Sequence, residues 1–171
     1  ISPQWVFYFK NQINFVNQLN NSIVKETTIR LYRHDYGWNQ IERWKDYLPN
    51  LNYDIGTSPI EKHFSDTRLY IATYNSTTYL ESFKLDIPTI LFWDQCHWEN
   101  RDSVDLIFEE LKRVKVFHES AESAAKHINQ IWDDVQSWWG SKDVVEIIKK
   151  FNKFYNKQNK SLISDLKNIL K

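Results

Sequence analysis

The sequence predicts an α/β fold: a Rossmann-like three-layer sandwich built on a parallel sheet of about five strands, with a long helix at the C-terminal end. Three observations carry this. Short β-like apolar runs alternate with longer stretches of helical spacing along the whole chain. The segments between runs are about a dozen residues or more, long enough for the right-handed crossovers that join parallel strands. The chain has 171 residues, 42% of them hydrophobic and 16% aromatic, enough for one core and the size of one domain rather than two.

Each element follows from local pattern. Trp5 to Leu19 carries apolar residues at roughly helical spacing and is expected to pack on the sheet. Thr28 to Tyr32 reads as the first strand, followed by the loop Arg33-His34-Asp35-Tyr36-Gly37 and a helix from Trp38 to Leu48 that Pro49 closes. Leu51 to Ile55 is a second strand ended by Gly56, and Pro59 suits the first position of a short helix to Ser65. Strands at Arg68–Thr73 and Pro88–Trp93 flank a helix at Thr77–Leu85. A helix at Arg101–Val114, a short fifth strand at Val116–His118 and a helix at Ala121–Trp132 complete the alternation, with Ser120 placed as an N-cap. Trp132, Trp138 and Trp139 are expected to clamp the last helix onto the core. The organisation predicted is a body over 1–141 and a basic amphipathic helix over 142–171, packed on that body or on a further domain.

Composition excludes several classes. Twenty-two basic residues balance twenty-two acidic ones, which removes the clustered positive excess that phosphate-driven nucleic-acid binding needs. The balance is a sum of unequal parts, since 142–171 holds eight lysines against Asp143, Glu146 and Asp165. Such a helix suits peripheral contact with an anionic inner membrane or a partner domain. No apolar run reaches the length of a membrane span and no signal peptide opens the chain. Cys96 has no second cysteine, so a reducing, cytoplasmic compartment is expected. Only Gly37, Gly56 and Gly140 occur, which rules out glycine-rich phosphate loops. No histidine or carboxylate set has metal-ligand spacing, so no metal is expected. With no methionine and the opening Ile1-Ser2-Pro3, the chain is expected to be a piece of a longer protein.

In open parallel sheets, ligands bind beyond the carboxyl ends of the strands, so the loops there hold the candidate residues. The strand at Arg68–Thr73 runs through Tyr74, Asn75, Ser76, Thr77 and Thr78 into a helix. Amide groups at a helix start and adjacent hydroxyls can hold a diphosphate without glycine. Thr78 and Glu81 also fit a capping box that would consume those donors internally. Arg33 and His34 leave the first strand, where an Arg fork can pair with phosphate; alternatively Arg33 pairs with Asp35 on the surface. Trp93 and Trp98 suit stacking on a base or sugar, or capping of the sheet. Cys96 and His97 are chain neighbours, unlike a nucleophile and base whose side chains must face each other. His63 and His127 are read as structural or solvent-facing.

Taken together, Arg30-Leu31-Tyr32-x-x-Asp35-Tyr36-Gly37-Trp38, Tyr74-Asn75-Ser76-Thr77-Thr78-Tyr79-Leu80-Glu81, Ile87-Pro88-Thr89-Ile90 and Ile131-Trp132-Asp133-Asp134-Val135-x-x-Trp138-Trp139 resemble a family of transferases encoded with O-antigen and surface-polysaccharide genes. Members are longer, and the matching region is their C-terminal part. They look like relatives of two-domain GT-B glycosyltransferases such as Kdo transferases, whose C-terminal half binds the donor nucleotide. The resemblance implies that Ser76, Thr77 and Thr78 meet donor phosphate and that Glu81 contacts ribose hydroxyls. It places Arg33 and His34 where Kdo-type enzymes carry a His-Pro element, here without the proline. It further implies a CMP- or UDP-linked sugar as substrate, no metal or other cofactor, and an N-terminal acceptor domain as partner. The catalytic base would lie in that other domain, leaving this piece inactive when isolated. The rival expectations are a sugar-nucleotide epimerase of the same architecture and a non-enzymatic interaction domain.

Overall fold

The computed structural model describes residues 2–96, 98 and 101–156. The described residues form five strands: β1 (Thr28–Arg30), β2 (Asn52–Asp54), β3 (Tyr70–Ala72), β4 (Thr89–Phe92) and β5 (Phe117–His118). Their helices are α1 (Ser2–Asn17), α2 (Asn21–Glu26), α3 (Gln40–Tyr47), α4 (Glu61–Phe64), α5 (Thr78–Lys84), α6 (Asp102–Arg113), α7 (Ala121–Ile131), α8 (Val135–Trp139) and α9 (Lys142–Tyr155). A 3-10 turn over Trp132–Asp134 joins α7 to α8.

The order of layers follows from β4. All four of its residues are buried, and alternate side chains point to opposite faces. Leu91 faces a core shared with Tyr79 and Phe83 of α5, Phe108 and Leu111 of α6, and Ile147 and Phe151 of α9. Ile90 and Phe92 face the other way, onto Phe15 and Val16 of α1 and Ala124 and Ile128 of α7. Helices therefore cover both faces of a parallel layer, as a strand buried on both sides requires.

The single sheet of about five strands expected from the sequence is not what forms. β1 pairs β2 in parallel, with Ile29 opposite Tyr53, while β3, β4 and β5 make a separate parallel sheet in that order. Ile29 and Ile71 still pack on one core cluster, so side-chain packing is continuous where the backbone ladder is not. Three-residue strands offer few ladder bonds, and apolar patterning specifies which face is buried rather than which backbones pair.

The described part of the last helix packs on the body. Val144, Ile147, Ile148 and Phe151 of α9 are buried, and the Asn152 side-chain amide donates to the Phe83 carbonyl at 3.0 Å. Trp139 shares the core cluster of α9 and its Nε1 donates to Asp86 at 2.9 Å, and Trp138 packs against that cluster and donates to the Val114 carbonyl at 3.2 Å, whereas Trp132, expected to join them, packs on the other cluster under the Arg68 guanidinium. The basic stretch beyond 156 lies outside the described residues. No helix among them is long and apolar enough to cross a membrane.

Candidate functional site

The carboxyl end of β3 gathers an aromatic and hydroxyl group of side chains. Tyr70, at the start of the strand, is half-buried and packs edge-on against Phe64 at 5.5 Å. Burial first, then the neighbouring Tyr74, pushes its phenol up to about 12. Past the strand, Thr73 Oγ1 meets the Tyr8 hydroxyl of α1 at 2.9 Å, and burial raises that phenol well above its ordinary value. Tyr74 stands edge-on to Tyr8 at 5.9 Å and lies 5.6 Å from Trp98. Tyr74 and Trp98 are both 37% exposed, so they form an aromatic lip beside the turn. Trp93 does not share this role. It is buried against Phe117 and Phe108, which settles it as sheet core.

The turn itself is held from below. The Tyr79 hydroxyl donates to Asn75 Oδ1 at 3.2 Å, and Ser82 and Thr89 hydroxyls bond across to each other at 2.9 Å, tying α5 to β4. The predicted capping box does not form. The N-cap of α5 is Thr77 rather than Thr78, and its side chain makes no capping bond. The Ser76 and Thr77 side chains stay half-buried and exposed, respectively, at the mouth of the turn. Glu81, half-buried one turn into α5, lies within electrostatic reach of Tyr70.

Arg33 and His34 sit elsewhere. Both are exposed on the loop after β1, where His34 stands 6.1 Å from the rings of Tyr32 and of Tyr36. Among the described residues they make no hydrogen bond or ion pair with the β3 turn, and Arg33 does not pair with Asp35. Asp35 instead accepts from the Asn39 and Gln40 amides, both at 2.7 Å, and caps α3; these bonds, that from Gln40 foremost, hold its carboxyl below the usual range. Gly56 fixes this loop. At φ +71° its backbone passes so close that a Cβ would meet the Leu31 carbonyl at 2.7 Å and the Arg33 amide at 3.2 Å.

Arg30 lies within electrostatic reach of Tyr70, where its charge is the weakest of the influences on the phenol. It is half-buried, pairs with Asp54 across the β1–β2 register and donates to the Ser58 carbonyl. Strand alternation sets Arg30 opposite Leu31, and its place at the end of a short strand was the available signal. His63 closes the group: its Nε2 lies 2.6 Å from Ser58 Oγ and 3.5 Å from Asp54 Oδ2. Serine, histidine and aspartate are thus close, yet both contacts fall on one ring nitrogen. A nucleophile relay needs the two nitrogens to serve different partners, so this is an ion-pair frame rather than a hydrolytic triad.

The backbone amide of Cys96 donates to Asp94 at 2.8 Å, and His97 lies outside the described residues. No group of three or more potential metal ligands occurs among the described residues. Two histidines placed as structural or unassigned by the sequence are buried together, His118 at 5% and His127 at 5% exposure, with rings 5.5 Å apart.

Comparison with known proteins gives one match. The sequence profile described as LIC12162 family transferase matches residues 1–170. No curated protein and no solved structure matches the chain.

Proposed function

The chain belongs to the LIC12162 family of transferases, and we propose on that premise that it is the donor-nucleotide-binding part of a GT-B-type glycosyltransferase of bacterial surface-polysaccharide synthesis. In this reading Ser76, Thr77 and Thr78 receive the donor phosphates, Glu81 a ribose hydroxyl, and the Tyr74–Trp98 lip the base. As the bond between the sugar carbon and the phosphate oxygen breaks, its electron pair leaves with the nucleotide, and fixed hydroxyl and amide donors stabilise the negative charge that builds on that phosphate without metal. Arg30 supplies a positive field from across the strand ends, with Arg33 and His34 reserved for a donor that extends over the β1 loop. The acceptor and the base come from a separate N-terminal domain, and the whole protein works in the cytoplasm at the inner face of the membrane.

The observation that most favours this reading is that Thr77 begins α5 without a side-chain capping bond, which leaves its exposed hydroxyl uncommitted to the helix start beyond the carboxyl end of β3. Calorimetric titration of CMP, UDP, CDP and GDP into the chain tests it. One of these nucleotides is expected to bind, with affinity falling about tenfold or more in Thr77→Ala and in Glu81→Ala, roughly the loss of one good polar contact. Absence of binding by all four, or equal binding by both variants, rejects the assignment.

A further inference from the structure

An open cleft lies away from the β3 turn, along the edge of β5. It is an open hollow of about 630 Å³, within the size range of small-molecule sites, walled by the end of α6, the turn into β5 and one face of α7. Three lysines converge on it: Lys112 from the last turn of α6, Lys115 from the connecting turn, and Lys126 from α7. Lys112 is taken up by Glu119 at 2.7 Å. Lys115 and Lys126 have no carboxylate partner among the described residues. Lys115 is held in a left-handed conformation, φ 60°, by the reversal of the chain between α6 and β5.

Two histidines form the inner wall. His118 is fully committed, because Nε2 must donate to the Lys115 carbonyl at 3.0 Å, leaving Nδ1 to accept from the Ser123 hydroxyl at 2.8 Å. His127 is not. It packs edge-on against Trp138 at 5.1 Å, is 5% exposed, and neither of its ring nitrogens has a hydrogen-bond partner. Any imidazole carries at least one N–H, so a donor is buried here without an acceptor, which native structures rarely leave unmet. The start of α7 does not explain the site, since Ser120 Oγ already takes the Ser123 amide and Glu122 its own.

Unpaired lysine charge at the rim and an unmet donor within ask for the same ligand, an anion with several acceptor oxygens. We propose that the β5-edge cleft is a second anion site, taking a phosphate- or pyrophosphate-bearing small molecule between Lys115 and Lys126 with an oxygen accepting from His127. It shares no residue with the turn after β3 and stands independently of the donor reading.

The test follows the histidine imidazole resonances of the full chain during titration with sodium pyrophosphate and, separately, sodium phosphate at matched ionic strength. Saturable shifts at His127 are expected at up to millimolar ligand. Lys126→Ala combined with Lys115→Asn, which tolerates the left-handed turn, should weaken binding at least tenfold. His127→Phe keeps the contact with Trp138 and removes the unmet donor, so it should fold with equal or higher thermal stability while losing the pyrophosphate-dependent rise in melting temperature. Thr77→Ala should leave the His127 shifts intact. Non-saturating shifts, affinity unchanged in the lysine double variant, or loss of the signal in Thr77→Ala each overturn the proposal, the last by moving the anion to β3.

Discussion

The turn after β3 and the cleft at the β5 edge both gather groups that suit an anion, but they do so by different physics. At β3 the groups are neutral hydroxyls and amides on a short connection, ringed by Tyr8, Tyr70, Tyr74 and Trp98 and held rigid from below by Tyr79 and Ser82. At β5 they are flexible charged side chains from three elements over a buried imidazole pair. Fixed neutral donors discriminate by geometry, whereas long lysines supply charge with little shape. The first arrangement suits recognition of one nucleotide; the second suits any small phosphorylated group.

The sharpest way to separate the two regions is acid. Burial, and for His127 also the positive charges of His118 and Lys115, pushes both histidines from 6.5 down to about 4. The unfolded chain therefore takes up protons near pH 6.5 that the folded chain refuses. Stability is fully present above that value, falls as the pH drops toward 4, and levels off below. Each histidine contributes a slope of at most about 1.4 kcal/mol per pH unit in that window, or about 3 kcal/mol apiece across its full width. Urea unfolding at pH 7, 5.5 and 4.5 measures it, and His127→Phe should remove about half the slope. An unchanged slope in that variant would mean the acid response comes from carboxylates.

A second perturbation acts on the β1 loop and spares the β5 edge. Gly56→Ala forces a Cβ into the Leu31 carbonyl at a positive φ, and should cost about 2 kcal/mol or more while displacing Arg33. Amide spectra should change around 31–34 and stay fixed around His118. If nucleotide affinity also stays fixed, Arg33 and His34 have no part in the donor site and Arg30 alone supplies its charge.

How much of this the sequence disclosed depends on what each feature is made of. Strand positions were readable because β4 is a buried apolar run between turn signals, and the turn at Asn75–Thr78 because its residues are contiguous. Ser120 was readable as a cap for the same reason, and its Oγ does accept from Ser123 at 3.1 Å. Sheet pairing was not, since Thr28-Ile29-Arg30 reads alike whether or not β3 joins its edge. The local sequence points to Arg33 rather than Arg30, because the partner Asp54 is brought to Arg30 by strand register, across a separation of 24 residues. Tyr8 joins the turn from 65 residues away, and Lys112, Lys115 and Lys126 meet only through the reversal at β5. The 3.6-residue period gave α7 its buried face but not that His127 would lie there without a partner.

The two helix starts give the finest comparison. Ser120 caps α7 with its side chain, whereas Thr77 begins α5 without using its hydroxyl. Ser120→Ala should therefore cost about 1 kcal/mol, the usual worth of a side-chain cap, visible as a fall in the urea midpoint at constant slope. Thr77→Ala should change stability by less than about 0.5 kcal/mol, because no bond in the folded chain depends on that oxygen for capping. In the proposed donor site that hydroxyl serves the nucleotide instead. Thr77→Ser, which retains the oxygen and drops the methyl, should then keep nucleotide affinity that Thr77→Ala loses. Equal loss in both would assign the effect to the methyl's packing, and a stability cost as large as that of Ser120→Ala would return Thr77 to an ordinary cap.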